Sequence, residues 1–63
     1  MTRCELLMAA LELDGRDIPR PLQEYYDNEV RGLPHTVNSP EAALTANGYE
    51  LPTSDSLEQA AQP

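Results

Sequence analysis

Apolar side chains crowd residues 3–13, RCELLMAALEL, on almost every side: Cys4, Leu6, Leu7, Met8, Ala9, Ala10, Leu11 and Leu13 leave only Glu5 and Glu12 as a thin polar line. Thr2 and Glu5 form the Thr-x-x-Glu pattern of a capping box, so a helix is predicted from about Arg3 to Leu13, with Gly15 as its stop. The next segment, PRPLQEYYDNEVRG, has Pro21 near its start, Gly32 at its end and Pro34 barring continuation, the punctuation of a second helix. Its apolar positions Leu22, Tyr26, Val30 and Leu33 read as the stripe that meets the core, and the opposite side carries Glu24, Tyr25, Asp27, Asn28 and Glu29. Ser39-Pro40-Glu41 supplies an N-cap, a first-turn proline and an early acid for a short helix to about Ala46, stopped by Gly48. Thr53, Ser54 or Asp55 caps a last short helix in TSDSLEQAAQ.

The same phrase is written twice. AALELDGRDIP, residues 9–19, returns 33 residues later as AALTANGYELP, residues 42–52, with five identities: Ala9/Ala42, Ala10/Ala43, Leu11/Leu44, Gly15/Gly48 and Pro19/Pro52. Each copy reads as a helix end, a glycine in left-handed conformation, an extended pre-proline residue and a restart. Asp-Gly and Asn-Gly between alternating residues are also hairpin signals. The arms of such hairpins are only three residues long, however, and isolated hairpins of that size are marginal, so helices are the stronger expectation.

The expected fold is therefore all-α: a small bundle of three to four short helices in one domain, residues 1–63. Residues 1–33 form a first helix–glycine corner–helix unit, 34–39 a linker, and 40–63 a second, weaker unit with a loose tail. A chain of this length buries only about 60% of the surface its unfolded form exposes. The first helix is apolar nearly all round and the rest of the chain offers one convincing stripe to cover it. The expectation is thus a symmetric homodimer joined through Leu6, Leu7, Met8 and Leu11.

Charge narrows the class of partner. Eleven acids stand against four arginines and no lysine, a net charge of −7, and residues 32–63 carry no basic residue except His35. Nucleic acid is an unfavourable direct partner, because phosphate binding rests on clustered Lys and Arg. A DNA-binding helix-turn-helix, suggested by two helices joined at a corner, meets the same objection: its recognition segment presents Glu24, Asp27 and Glu29. A protein with a basic surface is the natural complement. Glu24, Asp27, Asn28 and Glu29 around Tyr25 form the first candidate partner-binding patch, read against the plainer alternative of a solvated helix face with Tyr25 at the core edge. Glu50, Asp55 and Glu58 form a second, looser group. By size and charge the chain resembles, as a class, the short acidic inhibitors of phage and plasmid genomes, anti-CRISPR proteins and nucleic-acid mimics among them. An assembly or adaptor module, such as an antitoxin-like subunit, is the alternative.

Chemistry is sparse. Cys4 is the single cysteine and His35 the single histidine, so neither an intrachain disulfide nor a zinc-type cluster is expected, and the buried thiol of a reducing compartment is the simplest reading of Cys4. No catalytic triad, EF-hand, phosphate loop or dinucleotide motif is present, so no enzyme activity, metal or cofactor is expected. The apolar run after Arg3 is cut short by Glu12, too soon for a signal core or a membrane span, and a cytoplasmic location follows as the expectation.

Overall fold

Four helices account for the regular structure of the computed structural model, which describes residues 1–62; Pro63, the last residue of the second unit, lies outside them. They are α1 (Arg3–Leu13), α2 (Arg20–Arg31), α3 (Pro40–Thr45) and α4 (Ser54–Ala61), and no strand occurs among the described residues. The chain is all-helical, and the hairpin alternative falls away.

Three of the four starts have a side-chain cap, and α2 instead begins with Pro19 at its N-cap and Pro21 in its first turn. The Thr2 hydroxyl accepts from the Glu5 amide and the Glu5 carboxylate accepts from the Thr2 amide, the reciprocal bonds of a capping box. Ser39 caps α3 through the Ala42 amide and Thr53 caps α4 through the Ser56 amide. Three helix ends share one geometry. Gly15, Gly32 and Gly48 adopt φ of 74°, 73° and 81°. The residue after each donates five positions back: Arg16 to the Leu11 carbonyl at 3.0 Å, Leu33 to Asn28 at 2.8 Å and Tyr49 to Leu44 at 3.0 Å. This is the Schellman closure, which satisfies carbonyls the helix leaves open.

Packing corrects the expected arrangement in three places. The first concerns α2, whose buried positions are Leu22 and Tyr25; Tyr26 is half-buried and packs against the core cluster as expected, whereas Val30 and Leu33 stay 66% and 46% exposed. The stripe that meets the core is thus centred on Leu22 and Tyr25, one turn apart, with Tyr26 at its edge; Leu33 lies beyond the helix end and Val30 is in its last turn.

The second concerns α1. Cys4, Leu7, Ala10 and Leu11 are all at most 3% exposed within the single chain, and Leu6 and Met8 are half-buried. Leu7 and Leu11, two of the residues expected to face a second copy, belong to a core cluster with Cys4, Leu22, Tyr25, Ala43 and Leu44. Because α1 lies against α2, α3 and α4, the side that carries Cys4, Leu7, Ala10 and Leu11 is covered from within, while Leu6 and Met8 stay half-buried and Leu13 52% exposed; Leu7 and Leu11 are therefore not free to face a second copy.

The third concerns the tail. The last short helix expected in TSDSLEQAAQ is present as α4, capped by Thr53, and it is laid against α1 rather than loose, with Ser56 buried and Leu57 and Ala60 half-buried. With few apolar residues of its own, this helix did not read as cover for α1.

Candidate interaction surface

The two corners of the repeated phrase meet, and one side chain from each flank of Gly15 makes the junction. Asp14, the α1 C-cap, receives three hydrogen bonds from the start of α4: the Thr53 amide at 2.9 Å, the Thr53 hydroxyl at 2.8 Å and the Ser56 hydroxyl at 2.5 Å. Arg16 reaches the other way and donates to the carbonyls of Glu50, at 2.9 Å, and Leu51, at 3.4 Å. Asp14 thereby sits where the N-terminus of α4 presents unpaired amides and positive dipole, a place that favours a carboxylate. The Ser56 hydroxyl first, then the Thr53 amide and hydroxyl, hold the Asp14 carboxyl below its ordinary range.

This junction collects acids. Asp14 and Asp17 come from the first corner, Glu50 from the second, and Asp55 follows on the outward face of α4 with Glu58 one turn further. Asp17, Glu50, Asp55 and Glu58 are exposed, as is Glu12 in the last turn of α1. Among the described residues, the carboxylates paired with Arg or His are instead Glu24, Asp27, Glu29 and Glu41. The one guanidinium at the junction, Arg16, is held by backbone carbonyls.

The α2 patch is built differently. Glu24 lies 3.9 Å from Arg20, Asp27 3.4 Å from Arg31, and Glu29 3.9 Å from the His35 imidazole, so each acid on this helix has a basic neighbour. Tyr25 is 9% exposed and stacks on His35 with ring centroids 3.7 Å apart and planes 3° from parallel. That stack brings the linker after Gly32 back over the core and explains the lone histidine, a partner that the linear sequence did not reveal. Glu24 and Asp27 are exposed, and Asn28 and Glu29 half-buried, so the five residues share a helix but not a single open surface. Of the two acidic groups, Asp55 and Glu58 lie on the helix whose start Asp14 bonds, and the Glu50 carbonyl is held by Arg16, the neighbour of Asp17 in the chain; Asp14 and Asp17 are the two acids that the sequence leaves out of both groups. Their signal was the repeat itself, which places Asp14 and Asn47 at equivalent corners.

Reactive groups are muted. The Cys4 thiol is 1% exposed, and burial, aided by Glu29, Glu5 and Glu41, pushes it up to about 11, so it stays protonated at neutral pH. Arg3 pairs with Glu41 across α1 and α3. Two open clefts flank the bundle. One, of about 290 Å³, lies between the start of α2 and the end of α3; the other, of about 590 Å³, lies between the start of α1 and the end of α4. Among the described residues no group of three or more His, Cys, Asp or Glu is placed to hold a metal ion, and no helix is long and apolar enough to cross a membrane. No family model, curated protein or solved structure matches the chain.

Proposed function

We propose that this chain is a small acidic protein that works by binding: it docks on a basic surface of another protein and inhibits or modulates it, in the manner of short acidic inhibitors and nucleic-acid mimics. The observation that carries the reading is the junction of the two corners, where Asp17, Glu50, Asp55 and Glu58 stand exposed without a basic partner while the Asp14 and Arg16 bonds fix the backbone beneath them. The two helix–corner–helix units serve as a scaffold that sets these carboxylates at one end of the bundle. Charges held on a rigid frame bind a complementary surface with little ordering cost and speed its approach. A row of carboxylates also resembles a row of phosphates to a groove lined with Lys and Arg. The reading assigns no catalytic step and no cofactor, and the partner is a protein, not nucleic acid.

The test is a capture experiment on lysate of the source cell with three baits: the unaltered protein, the junction variant E50K/D55K/E58K, and the α2 variant E24K/D27K. A specific basic prey that is held by the first and third baits, lost by the second and released by rising salt supports the proposal. Prey retained by the junction variant would overturn it. A second reading, an assembly module of adaptor or antitoxin type, is favoured by Val30 in the last turn of α2 and Leu33 just beyond it, both of which stand exposed. It predicts prey that survive high salt and are lost on Val30→Glu.

A further inference from the structure

The boundary between the two helix–corner–helix units runs through the middle of the packing. The contacts of α1 with α4, α1 with α3 and α2 with α3 all cross it. Only the contact of α1 with α2 lies inside one unit, and among the described residues α3 and α4 do not touch. The core is divided in the same way: Cys4, Leu7, Leu11, Leu22 and Tyr25 from the first unit close on Ala43 and Leu44 from the second, and Leu57 packs against them. The polar ties between distant helices and corners cross as well. They are Arg3 with Glu41, Asp14 with Thr53 and Ser56, and Arg16 with the carbonyls of Glu50 and Leu51. The helices of residues 40–63 therefore give each other no cover, and each finds its seat on the first unit. The linker 34–39 adds little to that interface beyond the His35 stack on Tyr25 and Val37 against the core; Pro34, Thr36 and Asn38 stand exposed along it. Its main contribution is proximity, an effective concentration on the order of millimolar for a short connection.

We infer that the face of α1 and α2 that seats residues 40–63 accepts the same segment from a second copy of this chain. Two chains then exchange their second units about the linker and form an interlocked dimer, in which the contacts between units are remade across copies. The closed chain prevails at micromolar concentration, well below what the linker supplies, and exchange takes over toward millimolar or wherever closure is blocked. The inference does not rest on the binding function proposed above.

Full-length variants that cannot close on themselves test it. Leu11→Asp damages the first unit's side of the core and Leu44→Asp the second's; both positions are 0% exposed, and a buried unpaired charge unfolds a domain this small. Each variant alone is expected to lack a helix signal in circular dichroism. Refolded together at roughly 0.1 mM each, they meet no competition from a closed form, and the sound first unit of one chain takes the sound second unit of the other. About half the helix signal of the unaltered protein should return, in a species of two-chain mass by light scattering. Leu7→Asp mixed with Leu11→Asp carries both lesions in the first unit and should recover nothing. No recovery in the first mixture, or equal recovery in the two, overturns the exchange.

Discussion

At the scale of single residues, Asp14 is where acid should be felt. Its folded-state pKa is lowered from 3.8 by the Ser56 hydroxyl and the Thr53 amide and hydroxyl, so the folded chain binds fewer protons than the unfolded one as the pH falls toward and below that value. The stabilisation is complete above the ordinary aspartate range and is lost as the pH drops through the depressed folded value. Glu5, lowered from 4.5 chiefly by its bonds with Thr2, acts in the same direction through the capping box. Thermal melts from neutral pH down to below 3.8 should therefore show the midpoint falling, and Asp14→Asn should flatten part of that fall while leaving the share due to Glu5. Parallel profiles for the two proteins would mean that the carboxylate is not engaged as described.

At the scale of the elements, α2 decides between two stripes that differ by one position. Tyr25 is buried in the core and under His35, whereas Val30 stands 66% exposed. Truncating a buried aromatic costs about 3–5 kcal/mol, and trimming an exposed side chain stays within about 0.5 kcal/mol. Urea titration of Tyr25→Ala should thus find the fold nearly abolished in a domain this small, and Val30→Ala should be close to unchanged; equal losses would restore the other stripe. The contrast marks what the sequence could and could not reveal. Helix ends were legible because their causes are local: the Thr2–Glu5 box, and hydroxyls at Ser39 and Thr53 that each bond an amide three residues on. The all-helical class followed from them. The rotation of α2 was not legible, because two adjacent tyrosines offer either face and Tyr25 finds its partners in the core cluster and in His35, ten residues away in a linker. The covering of α1 was equally hidden. It depends on α4, whose apolar content is only Leu57, Ala60 and Ala61, and whose seat is set by an Asp14 bond that spans 39 residues.

The whole molecule has a radius of gyration of 11.1 Å and covers the apolar side of its own first helix, so light scattering at micromolar concentration should return the mass of one chain. The charge on that compact body gives salt two opposite effects. With a net charge of −7, repulsion is relieved by expansion on unfolding, and at low salt the relief is worth about 2 kcal/mol. The attractions that salt also screens are few: Arg3–Glu41, Arg20–Glu24 and Arg31–Asp27 are surface pairs, each worth about 0.5 kcal/mol or less. Repulsion therefore wins. Raising ionic strength from about 0.01 M to about 0.15 M shortens the screening length from about 30 Å to about 8 Å, less than the smallest dimension of the molecule, 17 Å, so the melting midpoint should rise by several degrees. A flat or falling midpoint would mean that the carboxylates are compensated in some way the ion pairs do not reveal. Over the same range the affinity for a basic partner should fall, because the exposed Asp17, Glu50, Asp55 and Glu58 that burden the isolated fold are the groups that attract it. Stability and binding then move in opposite directions along one salt axis, a pairing that an apolar assembly surface at Val30 and Leu33 would not produce.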